Sequence, residues 1–159
     1  MGNTISHQAE GLHLSLSNGG TSVLLTTVLL SGSHLACEPW QRELLFWLAE
    51  RDQSILGLGL VGFDLSELPW DTARFEEQKR FLLGAFELAL QEFGWERLDY
   101  RPPLVKRDLQ TLQSMVKAFQ QEHLQPRKQT FPITSDSGSL CPTHRVLLSE
   151  FGCLVCNDL

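Results

Sequence analysis

The residues with the clearest chemical capacity lie between positions 141 and 156: Cys141-Pro142-Thr143-His144, eight intervening residues, then Cys153-Leu154-Val155-Cys156. Two donors separated by two residues can both turn inward on one tight turn and grip the same ion. An eight-residue excursion is long enough to run out and return, which brings the second pair opposite the first. Thiolates and a neutral imidazole suit a borderline-soft ion such as Zn2+. Four protein donors complete a tetrahedral shell. The spacing therefore predicts one structural zinc ion on Cys141, His144, Cys153 and Cys156, with no coordination position left for a substrate. The competing reading is a tail with free thiols. Of the four cysteines, three crowd into the last 19 residues, which is not how a disulfide framework is distributed. Cys37 stands alone and reads as a small buried apolar residue.

One grip is opened by Cys141-Pro142 and the other by Gly152-Cys153, and together they resemble the two knuckles of zinc-ribbon and treble-clef modules. The resemblance covers residues 141–156 and implies a zinc-bound hairpin, with Val146-Leu147-Leu148 as its strand-like part. It departs from those modules in that only three residues follow Cys156, where a helix or further hairpin would continue. Many such modules bind nucleic acid. Here Arg145 is the only base in the last 27 residues, so contacts to phosphate would have little to work with.

Other motifs are weaker. Gly57-Leu58-Gly59-Leu60-Val61-Gly62 spells a dinucleotide-binding pattern, but that chemistry needs a helix directly after the glycines and a carboxylate about twenty residues on. Phe63-Asp64-Leu65 follows instead, and Leu82 stands where the acid should be, so close backbone packing is the better account. Asp64 and Glu67 could share a helical face for acid–base work or hold a hard cation, although carboxylates at a turn more often cap a helix. His7, His13, His34 and His123 lie in segments without partner spacing.

These groups must be positioned by a fold. From Trp70 to Gly94, Phe75, Leu82, Leu83, Phe86, Ala89, Leu90 and Phe93 recur at the spacing of one apolar helical stripe, with Asp71 placed to cap its start. Pro39 to Arg51 and Leu104 to His123 read as further helices, the latter carrying Lys106, Arg107 and Lys117 on its wet side. Leu12, Leu14 and Leu16 alternate with polar residues, Asn18-Gly19-Gly20 offers a tight turn, and Ser22 to Leu30 follows as an apolar run. Residues 11–31 therefore read as an antiparallel hairpin, and Ile55 to Phe63 as a further strand. The expectation is an α+β fold, with two to three amphipathic helices packed on one face of a small antiparallel sheet and a C-terminal zinc-knuckle hairpin. Residues 1–124 would form the body, 125–140 a linker rich in Gln, Pro, Ser, Thr and Gly, and 141–159 the zinc-binding tail.

The 159 residues carry a net charge of −6. Residues 38–99 hold thirteen acids and six bases, whereas 100–132 hold two acids and six bases. An acidic body repels phosphate backbones and favours basic partners. The longest apolar run, Val23 to Leu30, is too short to span a bilayer and follows no basic leader, so a cytoplasmic protein is expected. Met1 to Ser6 fits a loose myristoylation pattern, but residues 1–37 contain no Lys or Arg as a second anchor, and an unmodified start is expected.

The stretch Gly62 to Trp70, with the cysteine-rich end, resembles small uncharacterised cytosolic proteins of Gram-positive bacteria; that resemblance implies a bacterial accessory protein and nothing about catalysis. The reading is a non-catalytic protein-binding module, comparable to toxin-immunity proteins, acting on a protein partner or as a homodimer, without membrane or small-molecule substrate. The alternatives are a zinc-containing nucleic-acid or transcription accessory factor using Lys106, Arg107 and Lys117, and an enzyme using Asp64 and Glu67.

Overall fold

A computed structural model describes residues 4–16, 18–53, 61–98, 102, 105–124, 139–148 and 152–157. It is an α+β fold with a three-stranded mixed sheet. Strand β1 (Thr4–His7) and strand β2 (Leu12–Ser15) form an antiparallel hairpin closed by a 3-10 turn over Gln8–Glu10, where Gly11 takes the left-handed φ of 67°. Helix α1 (Asn18–Leu35) and helix α2 (Pro39–Ala49) follow, then the short strand β3 (Phe63–Asp64), helix α3 (Phe75–Leu90), helix α4 (Val105–Ala118) and a one-turn helix α5 (Leu154–Asn157).

The sheet order is β2-β1-β3, and β3 lies parallel to β1 with Ile5 opposite Phe63 and Ser6 opposite Asp64. The expected purely antiparallel sheet is thus corrected to a mixed one, because the chain crosses over through α1 and α2 before returning beside β1. Ile5, His7, Leu14 and Phe63 turn inward. Two other calls lie largely outside the described residues: the glycines of the 54–60 run, and the 125–138 part of the linker.

The largest correction concerns the second half of the expected hairpin. Residues 18–35 are helical, and β2 pairs backwards with β1 instead of forwards across Asn18-Gly19-Gly20. Every residue from 24 to 33 is buried, so this stretch of the helix shows no polar face and no 3.6-residue period to be read. Two of its buried hydroxyls are satisfied by backbone: Thr27 Oγ1 donates to the Leu24 carbonyl at 2.8 Å, and Ser31 Oγ to the Ala85 carbonyl of α3 at 2.7 Å, whereas Thr26 Oγ1 is buried with no hydrogen-bond partner among the described residues. At Gly32 a Cβ would sit 2.5 Å from Leu45 Cδ2, so the glycine is what allows α1 and α2 to approach so closely.

The main helix is shorter than its stripe suggested. Asp71 Oδ1 accepts from the Ala73 amide at 2.9 Å and caps a preceding turn, and α3 begins only at Phe75. Its buried apolar residues are Phe75, Phe81, Leu82, Ala85, Phe86 and Ala89, and the helix packs on α1 and α4. Trp70 stacks on Phe119 at 5.3 Å and donates Nε1–H to the Leu65 carbonyl. Trp40, Trp47 and Trp95 are half-buried against the same core. No described helix is long and apolar enough to cross a membrane.

Candidate metal centre

The C-terminal donors are brought together by two turns. In the first, the Cys141 amide donates to the Val146 carbonyl at 2.8 Å and the Arg145 amide returns to the Cys141 carbonyl at 2.8 Å, folding Cys141 and His144 onto one side. Leu140 bridges antiparallel to Leu147 and Arg145 takes a left-handed φ of 56° to close the turn. In the second, Gly152 adopts φ 81° immediately before Cys153, and Cys156 follows on α5, its amide donating to Cys153 Sγ at 3.5 Å. The second grip is thus itself a single helical turn.

All four donor atoms lie within 4.8 Å of one another. His144 Nδ1 stands 3.6 Å from Cys141 Sγ, 3.6 Å from Cys153 Sγ and 3.4 Å from Cys156 Sγ. Cys141 and Cys156 sulfurs are 3.8 Å apart, far beyond a disulfide bond. A tetrahedron with metal–sulfur bonds of about 2.3 Å and metal–nitrogen bonds of about 2.0 Å has edges of roughly 3.8 Å between sulfurs and roughly 3.5 Å between sulfur and nitrogen. The donor set and its edge lengths fit one four-coordinate ion.

Cys141, His144 and Cys153 are buried, and Cys156 is exposed. Burial opposes ionisation of Cys141, but the backbone amides of His144 and Thr143 and the His144 ring outweigh it and bring the thiol down to about 6. Burial dominates at Cys153 and pushes its thiol up to about 12. A metal ion would draw off that proton, because only the thiolate ligates.

The cluster is fastened to the body. The Leu147 amide donates to Ser33 Oγ of α1 at 3.0 Å, and an Arg97 guanidinium nitrogen donates to the His144 carbonyl at 3.4 Å. Val146, Leu147 and Val155 are buried in the common core.

Elsewhere, Asp64 and Glu67 form a reciprocal cap around the 3-10 turn Leu65–Glu67: Asp64 Oδ2 accepts from the Ser66 amide at 3.1 Å, and Glu67 Oε2 accepts from the Asp64 amide at 2.6 Å. Cys37 is exposed, not buried as expected, because it falls in the short link between α1 and α2. His13 and His34 are exposed, whereas His7 and His123 meet with ring centroids 4.6 Å apart. Their meeting had no local signal, since it depends on β1 and the turn after α4 arriving at one place. No protein-family model, curated protein or solved structure matches the chain.

Proposed function

We propose that Cys141, His144, Cys153 and Cys156 hold one structural zinc ion, which clamps the C-terminal tail onto a non-catalytic protein-binding module. The observation that carries the metal reading is the set of donor separations, 3.4–3.8 Å, which matches the edges of a zinc tetrahedron. A bound zinc would supply cross-linking alone, since its shell is filled by the protein. Residues 1–124 serve as the body, 125–140 as the linker and 141–159 as the tail.

The binding role draws on charge. The 38–99 segment carries thirteen acids against six bases, and Asp71, Glu76, Glu77, Glu87 and Glu96 are exposed, a field that steers a basic protein partner. A cytoplasmic role of the kind played by toxin-immunity proteins fits this chemistry. The basic face of α4 is a poor phosphate site by comparison, because Lys106 Nζ is already paired with Glu92 at 3.0 Å.

Elemental analysis tests the metal. Purified protein should contain zinc, and His144→Ala or Cys153→Ser should remove the tail's share of it; metal content unchanged by both variants defeats the reading. Affinity capture from cell extract should yield a basic protein in equimolar amount, released by raised salt. Capture of no such protein defeats the binding role.

A further inference from the structure

Among the described residues there is a second group of potential metal donors, far from the tail in sequence. His7 on β1, Glu10 in the 3-10 turn and His123 after α4 place their donor atoms within 4.8 Å of one another. His7 and His123 also line a cavity of about 370 Å³, whose wall includes Asp64, Ser66, Glu67 and Phe119. His7 is only 1% exposed, and neither of its ring nitrogens has a hydrogen-bond partner among the described residues. An imidazole buried with both nitrogens unsatisfied is costly, and the cavity is where a partner could reach it.

We propose that His7, Glu10 and His123 form a second site for a divalent transition metal ion, with its remaining coordination positions open toward the cavity for water or a small oxygen-donor ligand. Two imidazoles and one carboxylate are the donor set of open metal centres, in contrast to the thiolate-rich closed set of the tail. Asp64 serves as wall and not as ligand: its carboxylate already accepts from Ser6 Oγ, the Gln8 amide, and the amide and hydroxyl of Ser66. Those bonds pin β1, the 3-10 turn and β3 together and so fix the backbone on either side of His7.

Coordination requires a defined exchange of protons. His123 Nδ1 accepts from the Gln120 amide at 2.9 Å, which places the neutral ring's proton on Nε2, facing Glu10 Oε1 at 3.1 Å. For Nε2 to donate its lone pair to an ion, the proton passes through solvent to Nδ1, and the Gln120 contact is given up for a coordinate bond. Glu10 changes from hydrogen-bond acceptor to ligand. His7, through its unprotonated nitrogen, gains the partner it lacks.

The test is Co2+ titration of the full chain, followed by absorption. Wild type should take up two ions, one with sulfur-to-cobalt charge-transfer bands and one without. Glu10→Gln alters a half-exposed carboxylate and should spare the fold even if a His7 variant does not; the His123 side chain is 10% exposed, so circular dichroism checks that His123→Gln remains folded. Each should lower uptake from two to one and leave the thiolate bands intact. Titration with Zn2+ should also shift the Gln120 amide resonance. Wild-type uptake that stops at the thiolate-bound ion, or two ions retained in both variants, overturns the proposal. Failure of the tail reading has a different signature: the thiolate bands would be missing while the band dependent on Glu10 remained.

Discussion

Arg145 closes the first tail turn with a φ of 56°, a conformation in which an L side chain crowds the following carbonyl and glycine does not. Replacing Arg145 with Gly should therefore stabilise the protein by about 0.5–1 kcal/mol, the relief of strain being partly offset by a more flexible unfolded chain. A denaturation midpoint measured on the two proteins decides it. At Asp64, burial works against the charge, but the hydroxyl and amide of Ser66, the Gln8 amide and the Ser6 hydroxyl prevail and hold the carboxyl below its ordinary range. A depressed carboxyl contributes stability that is present above its unfolded value, near pH 4, and is lost as pH falls through the folded value. Wild type should thus lose stability in that acid window more steeply than Asp64→Ala, which at neutral pH should already be weaker by about 1–2 kcal/mol, the loss being softened by solvent access. Urea melts at pH 7 and pH 3 would show both effects.

Two glycines make opposed predictions for the helices. In α1, an alanine at Gly32 would press its Cβ to 2.5 Å from Leu45 Cδ2, and Leu45 is fully buried. Overpacking of about 1–3 kcal/mol exceeds the roughly 1 kcal/mol of helix propensity gained, so Gly32→Ala should destabilise. In α3, a Cβ at Gly84 meets only Leu35 Cδ1 at 3.9 Å, and Gly84→Ala should stabilise by about 0.5–1 kcal/mol. Thermal melts of the pair should move in opposite directions. How far the elements could be read from sequence followed their exposure. Helices α2, α3 and α4 each leave part of their surface in water, so Leu44 and Leu48, or Leu109, Leu112 and Val116, stand out at helical intervals. Helix α1 is buried on all sides over residues 24–33, and its β-branched Val23, Thr26, Thr27 and Val28 have strand propensity; tertiary burial overrode it. The tail donors were legible because their turns are local. Glu10 and His123, 113 positions apart, were not, because only the assembled sheet and α4 bring them together.

At the scale of the whole molecule, the tail completes the core instead of hanging from it. Val146, Leu147 and Val155 belong to the same buried core cluster as residues of α1 and α3, so the proposed ion would hold part of the hydrophobic interior shut. Chelation should release this segment and lower the unfolding midpoint by on the order of 10 °C, given about 1.5–3 kcal/mol for each buried aliphatic side chain and the heat-capacity scaling of a domain this size. Limited proteolysis with and without chelator should show cleavage near residues 139–157 only in the stripped protein.

The all-round burial of residues 24–33 of α1 also governs what happens when the molecule opens. Ten neighbouring positions that are buried in the native state become solvated together, and the stretch carries neither lysine, arginine nor acid to keep copies apart. Rich in branched side chains and free of proline, such a stretch pairs readily with its own kind in extended, cross-β form. Heating should therefore end in precipitation that grows with protein concentration, an apparent melting point that drifts with scan rate, and a β-rich deposit by infrared spectroscopy. The helix that knits the interior in the native state would be the seed of its irreversible loss.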